Sequence, residues 1–446
     1  MHPTFSRSRP HLIAVVLIFL AYAGLRLASG AWVLEKPRVL ADTTAYTRIS
    51  AQPIDHWDFW TGSRPPAFPL LLKIAQQDYN RAAALQLGLS ILAWGVLALA
   101  VSGFLKFSWL QVAGFALVLL FSLDRHIAAW DFVMLTESLS LSSLALFIAA
   151  GLWLLQGWHV GRVAAFFLAS VLLAFTRDTN AWMLLGLAGL ILIALLAGWL
   201  ERRAWILVIL LGLAFLLSDI SANFGERSLF PLGNLITQRV LPDDSALRYF
   251  ERCGMPVSPA LLQLSGKFAN SDDQAMFSGP DLGAFRDWLR DRGRACYVGW
   301  LVTDPIASIR AALYQTGGLI AFSSVDRFFS VRYVPLLPTA VAAVLYPEQL
   351  ILWIWGFSTL AALLAIWRRI WRDNRLWVAF VFMNFLVFPH VFLTWHGDAM
   401  APDRHALSVA VQLYLGFWLL VLLLFQHSWF SRREAAPPRL RTSTLP

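Results

Sequence analysis

Eight residues of this 446-residue chain have the type and placement to do chemistry. They are Asp42 and Tyr46 in "ADTTAYTRIS", Arg64 in "RPPAFP", Glu137 in "LTES" and Arg177 in "FTRDTN". Asp398, Arg404 and His405 complete the set in "WHGDAMAPDRH". All sit at the ends of long apolar runs, where ionisable groups are costly and tend to serve a function. A carboxylate can take the proton of an attacking hydroxyl. Arginines can offset the charge that grows on a departing phosphate. Asp42 is the leading candidate for the catalytic base and Glu137 the second catalytic candidate. Tyr46, Arg64, Arg177, Asp398, Arg404 and His405 are candidates for substrate binding. Together they suit transfer of a group from an anionic phosphate to a hydroxyl.

Each residue also has an ordinary structural reading. Asp42, with Thr43 and Thr44, could cap a short helix. Glu137 in a first helical turn is favourable to the helix dipole alone. Arg177 and Asp178 could pair with each other, and His405 could be an interfacial anchor beside Arg404. Trp57, Trp60, Trp130, Trp182 and Trp395 read as aromatic belt residues rather than sugar-stacking ones. The clustering on one side is what favours a site. The outside ends also hold Asp55, Asp58, Asp124, Arg125, His126 and Asp131, while the span interiors are almost free of such groups.

The elements that must hold these residues follow from hydropathy. The chain is 58% hydrophobic and 14% charged, with mean hydropathy +0.61, whereas soluble proteins carry roughly 25% charged residues. Ten nearly charge-free runs are present: 11–30, 82–104, 109–123, 138–157, 162–176, 181–200, 204–222, 349–367, 376–394 and 406–426. A bilayer core needs about 20 apolar residues per helix, and 109–123 and 162–176 fall short of that. The expected fold is an all-α polytopic membrane protein of about ten transmembrane helices. A small outer-face helical domain stands between spans 7 and 8. Residues 1–222 form an N-terminal transmembrane module whose first outer loop, 32–81, carries Asp42. Residues 223–348 form the outer domain and surface helices, 349–430 the C-terminal transmembrane helices, and 431–446 a basic tail.

Lys and Arg counts set the orientation. With the N-terminus inside, the inside loops hold Arg7, Arg9, Lys106, Arg162, Arg202, Arg203, "WRRIWRDNR" and the tail arginines, with few acids. The net charge of +9 is therefore a topology signal. No basic stretch is interleaved with aromatics on a soluble face, so nucleic acid is not an expected partner. Arginine dominates the 36 basic residues, as in GC-rich bacterial genomes. The first run has signal-peptide features, but Arg26 interrupts it, and an even span count needs it retained. The only cysteines, Cys253 and Cys296, both fall in the outer domain, where either a bridge or two separate thiols fits. Residues 303–322 read as a surface helix with Asp304 as N-cap and Pro305 at its first position. Residues 331–349, with three prolines, read as a loop or a broken re-entrant segment.

The chain resembles the C-type (GT-C) membrane glycosyltransferases that use polyprenyl-phosphate sugars. This group contains the protein mannosyltransferases and the lipid A aminoarabinose transferase. Four features carry the resemblance, in order: the first-loop acid Asp42, "RPPAFP" before span 2, "TES" heading span 4, and "GD…DRH" at 397–405 before the last span. It implies an inverting transfer of a sugar from a polyprenyl-phosphate carrier to a hydroxyl of a glycan, lipid or protein. The reaction would occur at the outer, periplasmic face of a bacterial inner membrane. Asp42 would be the base, and Arg64, Arg177, Arg404 and His405 would hold the carrier phosphate. Asp42 is followed by Thr43 rather than by a second acid, a departure from the protein mannosyltransferase pattern. Members of the group differ in their use of a divalent cation, no closed metal-ligand spacing is present here, and no organic cofactor is expected. The alternative expectation is a flippase or transporter of a lipid-linked glycan, which should carry polar groups near the membrane midplane.

Overall fold

The computed structural model of the protein describes residues 9–30, 36–269, 275–321, 323, 333–370 and 374–434. The tail beyond 434, and Trp371–Asp373 of the basic loop, lie outside the described residues. Each of the ten apolar runs forms a helix. Apolar side chains favour that outcome, because in lipid every backbone N–H and C=O must be satisfied within the segment; only the run 376–394 carries an interior proline, Pro389, and it stays helical. Among the described residues, eight helices are long and apolar enough to cross a membrane: Arg9–Gly30, Tyr79–Ser102, Glu137–Gln156, Asp178–Leu196, Arg202–Phe224, Thr339–Trp367, Leu376–Gly397 and Leu407–His427. Ser108–Ser122 with Arg125–Phe132 makes a ninth if the pair, bent by 58°, is one span. Val160–Ala174, at 15 residues, is apolar but short. No strand occurs among the described residues, and the chain is an all-α polytopic membrane protein.

Two details differ from the sequence expectation. The span expected to begin at 349 gains the helix Thr339–Leu345 ahead of it, with a break at Tyr346 and Pro347. Part of the expected proline-rich loop thus joins a span. Trp130 is fully buried rather than part of a surface belt.

Arg26 explains how the first helix joins the bundle. Its guanidinium pairs with Asp131 and donates to the Ser122 carbonyl at 2.6 Å and to Ser90 Oγ at 2.7 Å. Asp131 also accepts from Ser138 Oγ at 2.6 Å. A buried charge of this kind persists only when paired and hydrogen-bonded.

Past Phe224 the chain builds a small domain with its own core, centred on Phe250, Trp288, Leu289 and Tyr297. Cys253 and Cys296 are bridged across it, with Cα atoms 6.2 Å apart and a sequence separation of 43. Closing a loop of that length is worth about 4 kcal/mol against the unfolded chain. Cys253→Ser is therefore expected to lower the urea midpoint of this domain; an unchanged midpoint would remove the bridge from its stability. The helix Pro305–Ala321 follows, with Asp304 Oδ1 accepting from the Ala307 N–H at 2.9 Å, and it packs on the Leu376–Gly397 helix.

Candidate active site

The short helix Ala41–Ala51 carries Asp42 and Tyr46. Asp42 is not its cap. The cap position is Leu40, and the Leu40 N–H donates to Thr43 Oγ1 at 3.0 Å, while no side-chain cap bond involves Asp42. The Asp42 carboxylate is thus left for other partners. Thr43 Oγ1 also donates to the Met134 carbonyl at 2.9 Å. Arg38 bonds Phe132 O at 2.8 Å through its N–H and accepts from Met134 N at 2.9 Å through its carbonyl. These bonds stitch the first loop to the segment just ahead of Glu137. A similar bond, Ala67 N to Phe175 O at 3.2 Å, ties the proline turn after Arg64 to the turn that carries Arg177.

The result is one network of ion pairs. Arg64 Nη2 lies 2.8 Å from Asp42 Oδ1. Arg404 reaches both acids, with Nη1 3.6 Å from Asp42 Oδ2 and Nε 3.2 Å from Glu137 Oε1. Arg177 Nη2 lies 2.6 Å from the same Glu137 oxygen, and its Nε donates to Thr136 Oγ1 at 3.2 Å. Tyr46 lies under Arg64, whose guanidinium is 5.6 Å from the ring centroid. Its hydroxyl is held in the phenol form, chiefly by burial. Asp398 accepts from Asn234 Nδ2 at 3.0 Å and from the Met400 N–H at 2.9 Å. Burial raises its carboxyl above the ordinary range, partly offset by those two donors. His405 Nε2 lies 3.8 Å from Asp398. Burial, followed by Arg177, Arg404 and Arg64, pushes the imidazole well below its ordinary value. His405 is therefore neutral at pH 7, and its approach to Asp398 is a polar contact rather than an ion pair.

All eight residues singled out in the sequence meet in this cluster at one end of the helix bundle. Their exposures differ. The Asp42 side chain is 35% exposed, while that of Glu137 is 1% exposed and its Oε2 has no hydrogen-bond partner. Proline and an unusual backbone aim the last segment. Ala401 has φ +48°, a left-handed conformation that disfavours any side chain, and its carbonyl accepts from Arg404 N at 3.0 Å. That turn starts the helix Pro402–His405 and swings Arg404 between the two acids.

The remaining outside-end polar residues belong elsewhere. Asp178 pairs with Arg227 at 3.0 Å rather than with Arg177. His126 lies between Asp124 at 2.6 Å and Glu348 at 2.9 Å, stacked on Tyr346. Asp58 is largely exposed beside His56. Sequence reading missed Thr136, Arg227 and Asn234, whose partners are distant in sequence and leave no local signal. It also missed Arg239, which lies 3.6 Å over the Trp395 ring and docks the small domain beside Asp398. The span interiors hold more polar groups than expected. Asn180 Nδ2 donates to Ser140 Oγ at 2.8 Å, Ser140 lies 3.4 Å from Ser408, and His390 lies 3.2 Å from Gln412, all buried below the cluster.

Among the described residues, no group of three or more His, Cys, Asp or Glu side chains is arranged to hold a metal ion. Asp42 and Glu137 are engaged by arginines instead. Compared with known families and curated proteins, the chain matches no family model and no curated sequence.

Proposed function

We propose that the protein is an integral-membrane glycosyltransferase that moves a sugar from a polyprenyl-phosphate carrier to a hydroxyl acceptor, with inversion and with Asp42 as base. The observation that carries this reading is the charge arrangement: three guanidiniums converge on two carboxylates, and only one of those carboxylates is open to solvent. The acceptor oxygen forms its bond to the anomeric carbon while the bond from that carbon to the phosphate oxygen breaks. Asp42 receives the hydroxyl proton, and the electron pair leaves on the carrier phosphate. Arg404, with Arg64 and Arg177 around it, balances that growing charge. Glu137, closed off and held by two arginines, positions them rather than exchanging protons. The arginine-rich turns at the opposite end of the bundle support a site on the outer, periplasmic face. The acceptor's class, whether glycan, lipid or protein, follows from whatever occupies the space beside Asp42.

Two measurements test the reading. Lipid extracted from the purified protein should contain a polyprenyl phosphate or its sugar ester on mass spectrometry. A protein that neither carries nor takes up such a lipid argues against the class. Losing one charge-assisted contact to a phosphate costs on the order of 1.5–3 kcal/mol, or roughly 10- to 150-fold in affinity. Arg404→Ala should weaken donor binding by that factor and stay folded, because Asp42 keeps Arg64 and Glu137 keeps Arg177. Unchanged donor affinity in Arg64→Ala, Arg177→Ala and Arg404→Ala alike rejects the phosphate site.

One observation favours a second reading, a transporter of a lipid-linked glycan. The buried polar row of Asn180, Ser140, Ser408, Gln412 and His390 reaches into the spans, as substrate paths do. Vesicles containing the protein and a fluorescent polyprenyl-phosphate sugar distinguish the two: transport moves the lipid between leaflets without acceptor, and transfer consumes it only with acceptor.

A further inference from the structure

We propose a second lipid site at the opposite, arginine-rich end of the bundle, which takes one anionic phospholipid with an acyl chain between helices and its phosphate at Arg203 and Arg375. A cavity of about 640 Å³ opens between the helices Glu137–Gln156, Asp178–Leu196 and Leu376–Gly397. Its walls are apolar, with Leu144, Phe147, Leu187, Ile191, Phe382 and Leu386 among them. From Leu144 to Gln156 it runs about 18 Å along the helix at 1.5 Å per residue. That is a little over half of a roughly 30 Å hydrocarbon core, the depth of one leaflet. The cavity stops at Gln412, whose amide is already bonded to the Met383 carbonyl at 2.7 Å.

The rim carries the charge that selects the occupant. Arg203 and Arg375 line it from two different turns, against one acid, Glu201, and all three are exposed. Arg375 Nη1 donates to the Leu155 carbonyl at 2.5 Å, which fixes the guanidinium over the mouth. Among the described residues neither arginine is in an ion pair, so both remain available to an outside anion. Arg162 donates to the carbonyl of Gly157, another lining residue, at 3.2 Å. Trp158 and Trp199 complete the rim at the depth where indoles favour the membrane–water boundary. Basic pockets between helices on the positive side of a membrane suit phospholipid headgroups. The carrier phosphate of the proposed reaction meets arginines at the other end of the bundle, so this site stands whether or not sugar is transferred there.

Native mass spectrometry of the full-length protein in detergent, with equal amounts of phosphatidylglycerol and phosphatidylcholine added, tests the site. Two arginines near a headgroup favour the anionic lipid by roughly 30-fold. The wild type should retain one phosphatidylglycerol with about that preference. Arg203→Gln combined with Arg375→Gln should abolish the preference, and Gly151→Leu, which grows a side chain into the groove with the rim intact, should reduce binding of both lipids. Equal retention of the two lipids by the wild type overturns the proposal. So does a full preference in the double variant, undiminished binding in Gly151→Leu, or displacement of the lipid by soluble glycerol phosphate.

Discussion

Asp42→Asn is expected to lower transfer by roughly 100- to 10,000-fold, the usual range for loss of a general base, while thermal stability and donor binding stay near wild type. Asparagine keeps the size of the side chain and can still accept from Arg64, now 2.8 Å from Oδ1. It cannot take a proton from the acceptor. The competing account, in which Asp42 only caps its helix, predicts little change, because asparagine caps as well as aspartate. The geometry already weakens that account, since Thr43 and Leu40 make the capping bonds. Turnover and unfolding measured side by side on the same preparation decide the matter. Near-wild-type turnover in a folded, donor-binding Asp42→Asn protein sends the search for the base to Asp398 or Asp58.

Glu137→Ala is expected to act differently, through folding. Glu137 is buried and is the carboxylate between Arg177 and Arg404. Removing one partner of a buried ion pair leaves an uncompensated charge and costs about 3–5 kcal/mol. The variant should therefore show a clearly lowered thermal midpoint in detergent. Arg177 would retain the Thr136 hydroxyl and Arg404 the Asp42 carboxylate. Donor affinity should fall with stability, because both guanidiniums lose their fixed positions. A midpoint equal to wild type would mean that the arginines find other partners or water, and that Glu137 does not organise the cluster. The contrast with Asp42→Asn separates a base from a positioning residue within one network.

The eight residues were legible as a set because each sits at the end of an apolar run, and end positions on one side of a membrane must share one aqueous face. Their division of labour was not legible. Asp42 and Glu137 look equivalent in sequence, each an acid beside a threonine at a helix start. Folding leaves one a third exposed and closes the other. The ion-pair partners were equally hidden. Arg177 is adjacent to Asp178 in sequence, yet it turns to Glu137 from a neighbouring helix, while Asp178 takes Arg227 from beyond the next span.

The sequence by itself determined the class of fold, the apolar run at the heart of each membrane helix, and the end at which the ionisable groups gather. The reason is local: a run of about 20 apolar residues has one favourable state in lipid, and its backbone bonds close within the run. Only the tertiary structure decided that Arg404 bridges Asp42 and Glu137, that Cys253 meets Cys296, that Arg26 is matched by Asp131, and that a groove opens between Arg203 and Arg375. Those pairings depend on how separate helices turn and lean against one another. A charge within a helix reaches only three or four residues along its own chain, so no sequence period records a partner one hundred residues away.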